Sequence, residues 1–368
     1  MIHSQLRSGY TTGACAAAGV KASLLFLCKD RRVDRIELTA LDGTALTIPI
    51  KAVERLDERT IRAEVIKFSG DDPDITNGAS IITTVKLVEG DGIKFIGGEG
   101  VGRVTKAGLS VPIGEPAINP GPRQLIRNVV DKFKQAIGLE VTISIPNGVE
   151  LAKRTLNPTL GIEGGLSIIG TTGVLRPMSE DAFKRSLVPQ IDVALAEGFR
   201  SLVFVPGKIG ETIARRLSLP SGAIVQTSNF IGYMLEAAAD RSVERVMLLG
   251  HIGKLAKVAA GVFHTHNRVG DGRLETMAAY AAAEGLDRTA ITKILSANTT
   301  EEAIEIINAN GLQRVYNVIA ARASARAQRY VFGRLTVGTV LASLDRTILG
   351  LDQNAQLIGG ELHWDLRS

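Results

Sequence analysis

Three glycine-rich turns in the second half of the sequence follow apolar runs and are candidates for ligand binding. They read Gly170-Thr-Thr-Gly173, Gly207-Lys-Ile-Gly210 and Gly250-His-Ile-Gly253. If the runs are strands of one parallel sheet, the turns share its carboxyl edge, where glycine lets a ligand approach helix N-termini. Conformational freedom alone would also explain a glycine in such a turn. We expect the opening turn of the chain, Gly9–Gly13, to lie near these turns. The expected contacts to a small-molecule cofactor are Gly9, Thr11, Thr12, Gly13, Gly170, Thr171, Thr172, Gly173, Gly250, His251 and Gly253.

A short acidic run could supply a proton acceptor. Asp71, Asp72 and Asp74 lie in one turn, where they could accept hydrogen bonds, hold a cation or take a proton. A solvated turn is the alternative interpretation. Because no EF-hand spacing surrounds the run, we expect no metal there. Glu99 is a fourth candidate for a general base.

A cluster of cationic side chains follows the third glycine turn. An H-x-H pair lies within it, but no cysteine is near and no carboxylate has a recognised ligand spacing, so anion recognition is favoured over a metal. Alternatively, these residues only keep a helix and a loop solvated. Two arginines of the first half flank a Pro-rich loop and are further candidates. The expected substrate-binding residues are Lys254, Lys257, His264, His266, Arg268, Arg103 and Arg123.

Two further sequence features are weaker signals. The stretch Gly97–Gly102 looks like a nucleotide loop, but Arg103 stands where the third glycine of G-x-G-x-x-G belongs, so the dinucleotide fingerprint is weak. Cys15 falls in the first turn of a predicted helix, whose dipole would lower a thiol pKa. A small core residue is the commoner explanation of such a cysteine.

The hydrophobic pattern changes along the chain. An Ala-rich helix opens the sequence, and β-rich runs separated by Gly, Asp or Pro fill residues 34–105. From about residue 166, the apolar runs LSIIG, SLVFV, AIVQT and RVMLLG alternate with amphipathic segments, which predicts βαβ units. We therefore expect an α+β domain with a mostly antiparallel sheet over residues 1–155. A Rossmann-like α/β domain with a parallel sheet and extra C-terminal helices should follow over 156–368.

Composition narrows the protein class. The 368 residues are 45% hydrophobic, which can fill a core in each of two domains, and aromatic residues reach only 4%, too few for base-stacking platforms. A net charge of +5 suits an anionic small molecule. Cys15 and Cys28 would lie roughly 20 Å apart on one helix and cannot pair. We expect a cytoplasmic protein without nucleic-acid or membrane partners.

Long motifs add a family resemblance. The segments LRSGYTTGACAAAGVKA, FSGDDPDITNG, GGEGVGRVTKAGLSVPIGEPAINPGPR, SIPNGVELAKRTLNPTLGIEGGLSIIGTTGVLRPMS and GHIGKLAKVAAGVFHTHNRVGDGR occur in this order. Together they resemble the cobalt-precorrin-5B C1-methyltransferase family, CbiD, from Leu6 to about Arg273. One departure is Gly19, which interrupts the opening Ala run and costs roughly 1 kcal/mol of helix propensity.

The resemblance implies methyl transfer from S-adenosylmethionine to carbon 1 of cobalt-precorrin-5B, giving cobalt-precorrin-6A in anaerobic cobalamin biosynthesis. The substrate carries several carboxylates, which cationic side chains would bind. The resemblance does not fix a general base; Asp71, Asp72, Asp74 and Glu99 stay open, as does a homo-oligomeric state. The alternatives are a Rossmann-type NAD- or flavin-dependent oxidoreductase and a non-catalytic corrinoid carrier.

Overall fold

The computed structural model describes residues 6–133 and 138–366. The chain forms two compact units that divide between Glu180 and Asp181. This division lies later than the expected boundary at residue 155. The reason is that β-bridges tie residues 162–175 to the first unit: Ile162 pairs with Val104, and Val174 pairs with Tyr10.

The first unit contains eleven strands and three α-helices in the described residues. In chain order they are β1 (Gly9–Tyr10), α1 (Thr12–Lys29), β2 (Arg35–Thr39), β3 (Ala45–Pro49), β4 (Ala52–Asp57), β5 (Thr60–Ile66), β6 (Ser80–Val88), β7 (Ile93–Gly97), β8 (Arg103–Val104), α2 (Pro120–Val130), β9 (Gly138–Ser144), α3 (Gly148–Ala152), β10 (Ile162–Glu163) and β11 (Val174–Leu175).

The main sheet of the first unit has the order β4-β5-β6-β9-β7. Its pairs are antiparallel except for the parallel pair β7 and β9, so the expected mostly antiparallel sheet is confirmed. Three two-stranded sheets, β1-β11, β10-β8 and β2-β3, complete the unit. Alternating burial along β5 and β6 turns one face of the main sheet toward the core.

Helix α1 is the central core element of the first unit. Its N-cap Thr11 accepts a hydrogen bond from the amide of Ala14, and Asp30 ends the helix in the left-handed conformation. The helix has the length and composition that could span a membrane, but 72% of that stretch is buried inside the protein. Gly19 has a packing role: a Cβ there would lie 2.3 Å from Oγ1 of Thr83 on β6.

The second unit contains five strands and ten α-helices in the described residues, α4 starting at the boundary residue Glu180. They are α4 (Glu180–Leu187), α5 (Pro189–Ala196), β12 (Ser201–Val205), α6 (Lys208–Arg216), β13 (Ile224–Gln226), α7 (Ile231–Ala239), β14 (Arg245–His251), α8 (Ile252–Ala259), α9 (Arg273–Ala283), α10 (Arg288–Ser296), α11 (Thr300–Ala309), α12 (Arg314–Tyr330), β15 (Thr336–Ala342), β16 (Ile348–Leu351) and α13 (Gln353–Glu361).

The sheet of the second unit has the order β13-β12-β14-β15-β16. The first four strands are parallel, and β16 pairs antiparallel with β15 at one edge. Every residue of β12 is buried, which explains its uninterrupted apolar sequence. The expected parallel sheet is present, whereas the strand expected at LSIIG is not part of it. Strand β15, which the sequence analysis missed, takes a place beside β14.

Candidate functional site

The strand order of the second unit has a switch point between β12 and β14, and we call the space outside the carboxyl ends of these two strands the crevice. From β12 the chain passes to β13 on one side and then crosses to β14 on the other side. In open α/β sheets, ligands bind at such a switch point, outside the carboxyl ends of the strands. The two turns that meet there are Gly207–Gly210 and Gly250–Gly253, two of the three that the sequence analysis selected.

Gly207 is the glycine in these turns that leaves room for a ligand. Its backbone is extended, with φ at 172°, so no left-handed geometry requires glycine. A Cβ at this position would meet only the Nζ of Lys254, at 3.9 Å. The other glycines are needed for packing: a Cβ on Gly210 would lie 2.1 Å from the carbonyl oxygen of Leu249, and one on Gly250 would lie 3.0 Å from Pro206.

Lys254 spans the crevice between the two strands. Its Nζ donates a 2.6 Å hydrogen bond to the carbonyl oxygen of Pro206, at the end of β12. Among the described residues, no carboxylate forms an ion pair with it. Burial, and then the positive charge of Lys257, lower the pKa of Lys254. A half-buried ammonium with unused donors can hold an anionic group of a ligand.

His251 ends the central strand and begins α8. Its Nδ1 accepts a hydrogen bond from the amide of Gly253 at 3.2 Å, so the ring proton lies on Nε2. Nε2 lies 2.9 Å from Oε1 of Glu301. Burial alone would raise the pKa of Glu301, but hydrogen bonds from His251, Thr300 and the Leu344 amide hold this pKa below its usual value. His251 therefore has both ring nitrogens engaged.

The loop that carries His264 and His266 is held by a buried lysine. The Lys257 side chain is 1% exposed, and its Nζ donates to the carbonyl oxygen of Thr265 and to Oδ1 of Asn267. Lys257 therefore organises this loop rather than presenting its charge at the surface. Of the other expected contacts, His264 packs on Phe230 with ring centroids 4.9 Å apart, while Arg268 is exposed.

The third selected turn, Gly170–Gly173, belongs to the first unit, so its expected place at the edge of the parallel sheet is wrong. It lies against the start of α1, because the Gly13 amide donates to the carbonyl oxygen of Ile169 and the Thr11 amide donates to that of Gly173. The side chain of Thr12 also accepts from the Ile169 amide at 2.9 Å. The expected proximity to the opening turn is therefore present.

Glycines of this contact allow two chain segments to approach closely. A Cβ on Gly9 would lie 2.3 Å from the carbonyl oxygen of Phe68, and one on Gly13 would lie 2.6 Å from Pro122. A Cβ on Gly170 would lie 2.3 Å from Oγ1 of Thr11. Protein atoms fill the space next to these glycines, and the first amides of α1 already have acceptors. The contact therefore stabilises the fold, whereas the Gly207 turn leaves space.

The loop Gly97–Gly102 is filled in the same way. A Cβ on Gly100 would lie 1.9 Å from the carbonyl oxygen of Ile145, and one on Gly98 would lie 2.1 Å from Oγ of Ser144. Strand β8 follows the loop, whereas a dinucleotide fingerprint requires a helix there. The motif that suggested a dinucleotide-binding oxidoreductase is therefore a loop whose glycines allow neighbouring chain segments to pack closely against it.

The acidic run connects loops of the first unit. Asp71 accepts from the Arg7 amide at 2.7 Å and from the Arg7 guanidinium, which lowers the pKa of this carboxyl. Asp72 accepts from the Met178 amide at 2.9 Å. Asp74 contacts the buried Nζ of Lys67 at 2.7 Å.

Burial would raise the pKa of Asp74, but Lys67 and Thr76 together hold it below its usual value. Glu99 differs from the other three acids because its side chain is exposed and has no hydrogen bond within the described ranges. The four acids are therefore not one cluster of free carboxylates.

The two arginines expected on the first unit stabilise its Pro-rich loop. Arg103 donates to the carbonyl oxygen of Gly114. Arg123 donates to the carbonyl oxygen of Ile118 at 2.8 Å and pairs with Glu115 at 3.3 Å. Arg123 also lies over the ring of Phe95, 5.2 Å from its centroid.

A cleft of about 420 Å³ opens in the first unit, and Gly9, one of the expected cofactor contacts, is among the residues that line it. The edge of β3, the exposed ring of Phe68 and the side chain of Arg176 line it. Arg176 is the cation among its lining residues, and Asp42 lies 3.5 Å from it, so a carboxylate already accompanies this charge. The cleft is therefore a weaker candidate for an anionic ligand than the crevice at Lys254.

Similarity to known proteins agrees with the resemblance. Family models named CbiD and CbiD, C-terminal domain, match residues 2–177 and 264–353. A Moorella thermoacetica protein named cobalt-precorrin-5B C(1)-methyltransferase is 50% identical over 98% of this chain and 99% of that protein. A Methanocaldococcus jannaschii protein of the same name is 51% identical over 86% of this chain and 89% of that protein.

The chain belongs to the CbiD family. A crystal structure of cobalamin biosynthesis protein (cbiD) from Archaeoglobus fulgidus is 26% identical, with a TM-score of 0.38, and covers 72% of this chain and 83% of that chain.

One residue of this CbiD chain escaped the sequence analysis. Glu301 lies fifty positions from His251, and only the fold brings the two side chains together. The available signal was the capping pattern at Thr299, which places an acid in the first turn of α11. Arg273 is the last residue of the quoted family segment, and the fold places its Nε 3.4 Å from Oδ1 of Asp271.

Proposed function

We propose that this chain catalyses methyl transfer from S-adenosylmethionine to carbon 1 of cobalt-precorrin-5B, giving cobalt-precorrin-6A in the anaerobic route to cobalamin. The observation that carries this proposal is the similarity to relatives named for the reaction, at 50% identity over 98% of the chain. The enzyme would act in the cytoplasm on a small-molecule macrocycle.

The methyl donor would bind at the crevice between β12 and β14. Gly207 supports this assignment because it leaves open space beside Lys254. Lys254 is suited to hold the donor's carboxylate, since its ammonium has one carbonyl acceptor. The Gly250, His251 and Gly253 turn would form the opposite wall. The turns Gly9–Gly13 and Gly170–Gly173 would pack against each other and would not contact the methyl donor.

The reaction requires mainly orientation and exclusion of water. S-adenosylmethionine supplies an activated methyl group, and an electron-rich macrocycle carbon accepts it without a covalent enzyme intermediate. Correct alignment of two reactants can contribute ~7 to 11 kcal/mol to the lowering of a barrier. Cationic side chains of the second unit would bind the carboxylates of the macrocycle and thereby fix its orientation.

Of the four acids considered as a general base, Asp72 and Glu99 are the two that no cation of the described residues holds. Asp71 and Asp74 are each held by a cation, Arg7 and Lys67, and both have a lowered pKa. Asp72 uses one carboxylate oxygen for the Met178 amide and Glu99 is exposed. A carboxyl group with an available oxygen can accept a proton from a substrate that reaches it.

A turnover assay tests the activity. Purified protein, S-adenosylmethionine and cobalt-precorrin-5B should give a macrocycle that is heavier by one methyl substitution, together with one equivalent of S-adenosylhomocysteine. Binding of the macrocycle without consumption of the donor would instead indicate a carrier. Consumption of NADH without methylation would indicate an oxidoreductase.

A further inference from the structure

A buried lysine and an arginine share one carboxylate next to the crevice. Asp271 Oδ1 lies 3.9 Å from Nζ of Lys257 and 3.4 Å from Nε of Arg273. The Lys257 side chain is 1% exposed, whereas that of Asp271 is 47% exposed. Water therefore weakens the single negative charge, while both positive charges lie in more buried surroundings.

The charge balance at this position is positive. Burial lowers the pKa of Lys257 most strongly, and the neighbouring charge of Arg273 lowers it further, while Asp271 opposes the change. Lys254, one helical turn earlier on α8, adds a third positive charge, and no carboxylate of the described residues forms an ion pair with it. One additional anion would bring this group of side chains closer to neutrality.

Two buried donors of the same group form no hydrogen bond with any of the described residues. Oγ1 of Thr265 is buried without a hydrogen-bond partner, although the carbonyl oxygen of the same residue accepts from Lys257. Nε of Arg273 is also buried without a partner, because its contact with Asp271 lacks hydrogen-bond geometry. Buried donors are costly to leave unpaired, so two within one small group indicate a missing acceptor.

We propose that Thr265, Arg273 and Lys257 form a carboxylate-binding subsite. A carboxylate has two acceptor oxygens and one negative charge, which match two free donors and one excess positive charge. Lys257 positions the loop and supplies charge, while Thr265 and Arg273 donate to the ligand. The proposal rests on the proposed function, because both the methyl donor and the macrocycle carry carboxylates.

Thr265→Val is the sharpest test, because valine keeps the shape and removes only the hydroxyl. Since this hydroxyl has no hydrogen-bond partner in the described part of the chain, we expect the melting temperature to stay constant or rise. Calorimetric titrations with S-adenosylhomocysteine and with cobalt-precorrin-5B should show an affinity loss of about tenfold for one of them. The ligand that loses affinity is the source of the carboxylate.

The matched control is Thr83→Val, which removes another buried hydroxyl without a partner, in the first unit. It should leave both affinities unchanged. Unchanged affinities in Thr265→Val, or equal losses in both variants, would overturn the subsite.

A second pair of variants tests the cation. Arg273 and Arg288 each begin a helix, α9 and α10, but Arg288 is exposed. Arg273→Gln should weaken the same ligand that Thr265→Val weakens, and Arg288→Gln should weaken neither. A loss confined to the other ligand, or no loss, would contradict the proposal.

The wild-type protein separates this proposal from the proposed function. If wild type binds neither ligand and forms no methylated product, the proposed function fails. The subsite is then tested with glutarate as the carboxylate probe. A rise in melting temperature with glutarate that Thr265→Val abolishes would support the subsite, and an equal rise in both proteins would overturn it.

Discussion

His251 Nε2 lies 2.9 Å from Oε1 of Glu301, and this contact joins the end of the central strand β14 to the first turn of α11. The same carboxylate oxygen accepts from the Leu344 amide at 3.1 Å, in the loop after β15. One acid therefore connects two strand ends at the carboxyl edge of the sheet. Because both ring nitrogens of His251 are engaged, the imidazole orientation depends on Glu301.

Glu301→Gln should lower the free energy of unfolding by about 1 kcal/mol at neutral pH, a value reduced for partial exposure. The pKa of Glu301 lies below its ordinary 4.5, so the ionised form is favoured in the folded state. Its stabilisation is complete above about pH 4.5 and is lost as pH falls through the lower folded-state pKa. Urea unfolding of both proteins at pH 7 and pH 3.5 measures this.

Glu305→Gln, an exposed change on the same helix, is the control and should have little effect at either pH. A wild-type advantage over Glu301→Gln that is the same at both pH values would contradict the electrostatic interpretation.

Gly19→Ala separates helix propensity from packing. Propensity favours alanine by roughly 1 kcal/mol, but the new Cβ would lie 2.3 Å from Oγ1 of Thr83. We expect a net destabilisation of about 1 to 3 kcal/mol in chemical unfolding. Adding Thr83→Ala should recover part of the loss, which a double-mutant cycle measures.

Gly360→Ala is the matched control, because a Cβ in that helical position meets nothing within 4 Å. If the free energy of unfolding of Gly19→Ala were higher than that of wild type, the contact between α1 and β6 would have adjusted to the new methyl group without cost, which would contradict the prediction.

Cys15 should resist alkylation in the native protein. Its side chain is fully buried, and burial raises the pKa of the thiol to about 12. Iodoacetamide at pH 8 followed by peptide mass spectrometry should modify Cys28 faster, because Cys28 is partly exposed. If Cys15 in the native protein were modified as fast as in urea-unfolded protein, its burial would be contradicted and a reactive thiol would be favoured instead.

Periodicity predicted much of the fold, because alternation and apolar runs report burial directly. The predicted β-rich region of residues 34–105 contains β2, β3, β5, β6 and β7, and the predicted apolar runs SLVFV, AIVQT and RVMLLG correspond to β12, β13 and β14. LSIIG was misassigned since its residues form isolated bridges, such as Ile168 with Ile118, rather than a ladder. An apolar run reports that a segment is buried but not which partner buries it.

The candidate site was predicted only in part. Gly207–Gly210 and Gly250–Gly253 meet because parallel strands end at one edge, which spacing can indicate. The difference between Gly207, which leaves space, and Gly170, which packs on Thr11, depends on tertiary contacts. Likewise, Glu301 reaches His251 through the fold alone.

Asp74→Asn tests whether this acid has a structural or a catalytic role. The carboxylate pairs with the buried Lys67, so its loss should cost about 3 kcal/mol of unfolding free energy. Because the pKa of Asp74 is lowered, its stabilisation is present above about pH 3.8 and is lost as pH falls further. We expect kcat of the folded variant to change by less than about tenfold.

A melting curve and a kcat measured well below the melting temperature distinguish the two roles. A kcat reduced by about a thousandfold with unchanged stability would identify Asp74 as the general base.

Photo-crosslinking of radiolabelled S-adenosylmethionine, followed by peptide mapping, tests most directly where the methyl donor binds. We expect label in peptides that contain Gly207–Gly210 or Gly250–Lys254. S-adenosylhomocysteine should compete with this labelling, and Gly207→Val should reduce it, because the valine side chain would fill the space beside Lys254. Label confined to peptides with Gly9–Gly13 or Gly170–Gly173, unaffected by Gly207→Val, would contradict this expectation.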